Sequence, residues 1–145
     1  RRAEQHHKVR DTTGPVLQER CIVEDARVFV PAYRDAGAYD DNDLDTRMTL
    51  YGVLERALPL PDLIIDLWAP FEVTMERIRR RDREAERELD VDFLRRIFDR
   101  HEKWIASHSS TPVITIDTER HDLVEEEDAA GEVLRRVEHA IVTVG

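Results

Sequence analysis

Asp62-Leu63-Ile64-Ile65-Asp66-Leu67-Trp68 leads through Ala69-Pro70-Phe71-Glu72 into Arg77-Ile78-Arg79-Arg80-Arg81-Asp82-Arg83, and the cluster closes on Glu84-Ala85-Glu86. The first part is aliphatic at successive positions, as a strand covered by helices on both faces must be. Pro112-Val113-Ile114-Thr115-Ile116-Asp117 has the same character, and Gly14-Pro15-Val16-Leu17-Gln18 reads as a third, shorter buried strand. Helical patterns separate these runs. The alternation predicts an α/β domain with a parallel sheet flanked by helices.

Four helices are expected. Residues 25–36 carry Val28, Phe29, Ala32 and Tyr33 at helical spacing, with Gly37 placed to end the helix. Residues 43–57 place Leu44, Met48, Tyr51 and Leu54 on one stripe that continues to Leu58. Residues 90–107 repeat Phe93, Leu94, Ile97, Phe98, His101, Trp104 and Ile105, and a last helix over 126–141 is expected to bury Val133, Leu134, Val137 and Ile141.

The chain has 145 residues, the size of one domain with one core, and we read 1–145 as such a domain. Its 22 basic against 32 acidic residues give a net charge of −10, so the surface as a whole repels nucleic acid and anionic lipid. Neither is an expected partner, and any anion site must be local, which makes the arginine cluster the principal anomaly. The lone Cys21 forms no internal disulfide, and no signal peptide or bilayer-length apolar run is evident, so a cytoplasmic setting is expected. The first residue is Arg1, and the basic opening through Arg10 starts without a capping residue, which reads as a chain missing its beginning. Asp40-Asp41-Asn42-Asp43 reads as a solvated loop with a helix cap, and Glu125-Glu126-Glu127-Asp128 as charge at the positive end of the last helix.

Two stretches carry candidate chemistry. Glu19-Arg20-Cys21-Ile22-Val23-Glu24-Asp25 follows the expected strand at Val16, at the carboxyl end where parallel α/β sheets bind ligands. A carboxylate beside an arginine suits phosphoryl transfer: the first can hold Mg²⁺ and the second can neutralise charge on the moving group. An ordinary surface ion pair explains the same residues. The arginine run likewise reads either as a solvated helix face or as a lid whose Arg77, Arg81 and Glu84 share one side, with Arg83 just beyond the helix end. Cys21 reads as a small buried residue, and the six histidines as surface or core residues with no metal-ligand context.

Together, these motifs resemble the deoxynucleoside kinase family, in particular its bacterial deoxyadenosine and deoxyguanosine kinases. The resemblance runs from Glu19 to Trp104 through Glu19-Arg20-Cys21-Ile22-Val23-Glu24-Asp25, through Pro61 to Leu67 with the Pro70-Phe71-Glu72 turn, and through the lid Arg77 to Glu86. It implies a P-loop kinase-like fold, ATP as phosphoryl donor and Mg²⁺ as cofactor. It further implies that Glu19 helps hold Mg²⁺, that Arg20 lies near the acceptor 5′-hydroxyl, and that Asp25 positions base-reading groups. Glu86 would hold the sugar 3′-hydroxyl, Arg77, Arg81 and Arg83 would grip the donor phosphates, and the segment from Asp117 to Asp122 would line the donor base. Against the family pattern, Cys21 replaces a serine, Val23 and Asp66 replace tyrosines, and Asp82 replaces a glycine in the lid.

The chain has no Gly-x-x-x-x-Gly-Lys-Ser/Thr loop. The resemblance places that loop, its strand and the acidic general base ahead of Arg1, with the strand between those at Val16 and Ile64. The N-terminal strands and phosphate loop are therefore expected to be absent from this chain, leaving a gap in the visible sheet. The implied activity is phosphorylation of a deoxyribonucleoside, with a purine favoured because Glu24-Asp25-Ala26 resembles the purine enzymes. The implied assembly is a homodimer, or a heterodimer with a related kinase chain, through the helices near 25–38 and 43–58. A thymidylate-like monophosphate kinase and a non-catalytic nucleotide-binding subunit are the alternatives.

Overall fold

The structure is a computed structural model, and it describes residues 12–86, 88–120 and 127–144. Among these, the residues up to Pro61 together with Asp92–Ser107 form one compact unit. Those of Asp62–Val91 together with those from His108 onward form a second.

The first unit is helical. Helix α1, residues 22–35, consists of an α turn at Ile22–Glu24, a π turn at Asp25–Phe29 and an α segment at Val30–Asp35. It starts three residues earlier than the apolar spacing predicts, because Ile22 and Val23 are themselves buried. Val28 and Ala32 have no exposed surface. Past the helix end, Gly37 takes φ +76°, a left-handed conformation that glycine adopts without a Cβ clash. The amides of Gly37 and Ala38 then bond back to the carbonyls of Arg34 and Tyr33, at 2.9 Å each.

Helix α2, Asp41–Ala57, begins on the expected cap: Asp40 Oδ1 accepts the amide of Asp43 at 2.7 Å. It packs on α1, and Arg34 donates from Nε and Nη2 to Asp41 Oδ1 across the connecting turn, at 3.1 and 2.8 Å. No residue within α2 is fully buried, and Leu50 and Val53 stand exposed beside the predicted stripe.

Helix α4, Val91–Ser107, keeps the predicted apolar face, with Trp104 buried and Phe93 against Tyr33 at 5.1 Å between ring centroids. Arg100 donates a hydrogen bond to Asp35 Oδ2, joining α4 to α1. That bond holds the Asp35 carboxyl below its ordinary range, against a smaller opposing effect of burial. A carboxyl lowered on folding stabilises fully above its unfolded pKa of about 3.9, and the contribution fades as pH falls through the lower folded value. The pair is part-exposed, so its expected worth is about 0.5–1 kcal/mol. Asp35→Asn is therefore expected to lower the melting temperature at pH 7, with the gap to wild type closing below about pH 4. A gap that persists at pH 2 would refute the assignment.

The second unit holds the sheet. Strands β1, Ile64–Trp68, and β2, Val113–Asp117, pair in parallel, with Ile64 opposite Val113 and Trp68 opposite Asp117. The opposed pair Asp66 and Thr115 is also bonded through side chains, Thr115 Oγ1 donating to Asp66 Oδ2 at 3.1 Å, which satisfies a buried carboxylate. Helix α3, Phe71–Arg81, starts at Pro70, where a proline loses no helical hydrogen bond, and buries Phe71 and Met75 one turn apart. Helix α5, Glu127–Val144, packs on β2, and Arg136 Nη2 donates to the Thr115 carbonyl at 3.2 Å.

Two expectations are corrected. Residues 14–18 form no strand: Gly14 has φ +109°, Pro15 has no amide to donate, Leu17 is 89% exposed, and no described strand pairs with them. The apolar stripe of α5 is only partly covered, since Leu134 and Ile141 are exposed while Val133 and Val137 are half-buried. Two strands of five residues cannot cover the stripe of an 18-residue helix. The basic opening, residues 1–10, and the first two residues of the acidic run 125–128 lie outside the described residues. Among the described residues, no helix is long and apolar enough to cross a membrane.

Candidate active site

In the helical unit, the bend before α1 exposes Glu19 and Arg20. Arg20 has φ +62°, a left-handed conformation that costs a residue with a Cβ roughly 1–2 kcal/mol. Its carbonyl accepts from Gln18 Nε2 at 2.8 Å, and its guanidinium carbon lies 4.5 Å from the Phe29 ring centroid. Phe29 is the last residue of the π turn, so the irregular first turns of α1 place the aromatic face that orients this cation. Such local strain collects where a side chain must be aimed.

Cys21 precedes the helix in extended conformation, and burial pushes its thiol above the ordinary range. It is a neutral, part-buried thiol, in keeping with the packing role read from the sequence. Glu24 is mostly buried, with Oε1 3.8 Å from His101 Nδ1, and His101 in turn meets Trp104 edge-on at 5.6 Å. The pairing of His101 with Glu24 has no signature in the sequence, where His101 simply occupies the apolar stripe of α4. Asp25 is half-buried and opens the π turn.

In the sheet unit, α3 follows β1, carries Arg77, Arg79, Arg80 and Arg81, and stops at Asp82, whose φ of +44° and ψ of +46° are left-handed. This break turns the chain back. Glu86, in the short 3₁₀ turn Glu84–Glu86, therefore meets Arg81 in a forked pair, Nη2 to Oε1 at 2.6 Å and Nε to Oε2 at 3.1 Å. Arg83 Nη1 stands 3.9 Å from the same Glu86 oxygen. Beyond the helix end, Arg83 is where the sequence places it, but Glu84 does not continue the side shared by Arg77 and Arg81, because the left-handed residue intervenes. Arg79, Asp82, Arg83 and Glu86 form the charged wall of a cavity of about 300 Å³, and Met75, Ile78 and Leu89 part of its apolar wall.

Arg77 points elsewhere. Its Nη1 and Nη2 donate to the hydroxyl and the carbonyl of Thr118, both at 2.7 Å. Asp117 Oδ1 accepts the amides of Glu119 and Arg120 at 3.0 and 3.3 Å, closing the turn after β2. Asp122 lies outside the described residues.

The lid glycine of the family pattern would occupy the left-handed position held here by Asp82. Glycine there escapes the Cβ penalty, and Asp82→Gly is expected to stabilise by up to about 1 kcal/mol whereas Asp82→Ala destabilises by a similar amount. Melting curves of the two variants check this, and equal shifts would show that Asp82 is unstrained.

Among the described residues no three His, Cys, Asp or Glu side chains converge on a metal-sized site. A single exposed carboxylate such as Glu19 fits Mg²⁺ that arrives with nucleotide phosphates and keeps most of its waters.

A parallel sheet with helices against it and an arginine helix at the strand ends is the arrangement of a P-loop kinase fold. The chain superposes on a deoxyadenosine kinase from M. mycoides, solved with bound dATP, with a TM-score of 0.76 and 18% identity, covering 94% of this chain and 68% of that one. The family model for deoxynucleoside kinase matches residues 1–142, and the chain belongs to that family. Among curated relatives it is 28% identical to a deoxyadenosine/deoxycytidine kinase of Bacillus subtilis over 88% of this chain. It is 32% identical to a deoxyadenosine kinase of Dictyostelium discoideum over 70%. The chain spans 60% and 41% of those two proteins' lengths.

Proposed function

We propose that the protein containing these residues transfers the γ-phosphoryl group of ATP to the 5′-hydroxyl of a deoxyribonucleoside, with a purine preferred, in nucleotide salvage. The observation that carries this reading is the fold-back at Asp82. It gathers Arg81, Arg83 and Glu86 within ion-pair reach, and Arg83 and Glu86 line one cavity, so a cation for phosphate and a carboxylate for a sugar hydroxyl stand side by side there. Family membership over residues 1–142 and relatives named deoxyadenosine kinases support the substrate class.

In this reading Arg81 and Arg83 neutralise the donor phosphates as the lid closes. Arg20 meets the charge that develops on the transferred group, as the bond to the acceptor oxygen forms and the bond to the leaving diphosphate oxygen breaks. Glu19 would help hold Mg²⁺, which would supply positive charge against the donor phosphates. Glu86 accepts the 3′-hydroxyl, Asp25 positions groups that read the base, and Asp117 and Asp122 stand in the segment beside the donor base. The lid arginine assignment extends to Arg77 by position in the family motif. The helices α1 and α2 form the dimer surface, to which the exposed Leu50 and Val53 contribute. The cytoplasm is the expected compartment.

Turnover of the intact protein with Mg²⁺ and ATP on deoxyadenosine, deoxyguanosine, deoxycytidine and thymidine monophosphate tests the proposal. The purine deoxynucleosides should give the highest kcat/KM. Transfer only to the monophosphate, or to none of the four, would overturn it.

A further inference from the structure

Among the described residues, Arg77 is the one arginine of the lid motif whose fork is fixed to the sheet. Its two terminal nitrogens are held by a single residue, Thr118, which follows β2 directly. Thr118 is itself fixed: its amide and hydroxyl both donate to the Trp68 carbonyl, at 2.7 and 3.0 Å, at the carboxyl end of β1. The hydroxyl thus accepts from Arg77 while donating to Trp68, and one side chain joins α3 to the ends of both strands. Arg77 is half-buried, whereas Arg79, Arg80, Arg81 and Arg83 are exposed. Gripping a phosphate with Arg77 would require breaking two charge-assisted hydrogen bonds in a part-buried place. Arg81 lies one helical turn further on and shares the side of Arg77, so the anchor sets where the end of α3 and its phosphate-facing arginines stand.

We infer that Arg77 and Thr118 are positioning residues: the Arg77–Thr118–Trp68 tie aims the arginine-bearing end of α3 at the donor phosphates, and Arg77 itself makes no phosphate contact. The inference rests on the kinase reading and departs from it in the role of Arg77. Losing the tie leaves every phosphate-contacting group in place but mis-aimed, which weakens the donor and spares the deoxynucleoside.

A double-mutant cycle on the intact protein decides between anchor and phosphate ligand. The variants are Arg77→Ala, Thr118→Val, the pair together, and Thr118→Ser, which keeps the hydroxyl. The readouts are MgATP affinity by calorimetry, KM for ATP, KM for the deoxynucleoside and melting temperature. Thr118→Val is expected to weaken MgATP binding and raise KM for ATP by about 10- to 100-fold, the worth of one charge-assisted bond. The deoxynucleoside KM should stay unchanged, Thr118→Ser should bind as wild type, and the double variant should be no worse than Arg77→Ala. A Thr118→Val protein with wild-type MgATP affinity, or losses that multiply in the double variant, would overturn the inference and assign Arg77 to phosphate. Absence of phosphoryl transfer by wild type would refute the kinase reading, and the calorimetric cycle would still decide the role of Arg77.

Discussion

Replacement of Arg20 by glycine is expected to lower kcat by about 10²–10³-fold, the usual loss when one preorganised donor to a developing negative charge is removed. Glycine is the informative substitution because the residue sits at φ +62°. It deletes the guanidinium and relieves the left-handed strain together, so the fold should hold or gain stability while the rate collapses. Arg20→Lys should recover only part of the rate, because a point charge does not lie over the Phe29 ring or fork onto oxygen as a guanidinium does. Steady-state kinetics beside thermal melts check this. A kcat within a few-fold of wild type would remove Arg20 from the chemistry and leave the bend as local structure.

The second large effect belongs to Glu86. Glu86→Gln keeps the shape but loses the charge that accepts from Arg81 at 2.6 and 3.1 Å. Hydrogen bonds to charged groups are worth about 1.5–3 kcal/mol, so kcat/KM for the deoxynucleoside should fall about 10- to 100-fold. Stability should hardly move, since an exposed pair contributes at most about 1 kcal/mol. The discriminating readout is a substrate lacking its 3′-hydroxyl. Wild type should disfavour this analogue strongly, and Glu86→Gln should treat the two substrates nearly alike, because the partner of that hydroxyl has been weakened. Undiminished discrimination would show that Glu86 serves only the lid.

The strongest local patterns were legible for physical reasons that can be named. Ile64-Ile65 and Val113-Ile114 are aliphatic at adjacent positions, which only a strand covered on both faces tolerates, and both segments are strands. The period of Phe93, Leu94, Ile97, His101 and Trp104 fits a helix and nothing else. Val16-Leu17 misled because two apolar residues after a proline satisfy a strand pattern without needing a neighbour, whereas a real strand exists only by pairing. The π turn at Asp25–Phe29 had no signal, since its extra residue per turn arises from packing that no short window encodes.

The candidate site divides along the same line. Residue types and order alone determined the family and marked the arginine run and Glu19-Arg20 as the candidate motifs, because charge and spacing are written in the chain. Only the tertiary structure decided which partner each arginine meets. Arg77 and Arg81 are one turn apart with the same side chain, yet one is fastened to Thr118, 41 positions away in sequence, and the other forks onto Glu86. A hydrogen bond between distant residues depends on where the backbone brings them, and here two left-handed residues, Arg20 and Asp82, set the course of the backbone at the two candidate clusters.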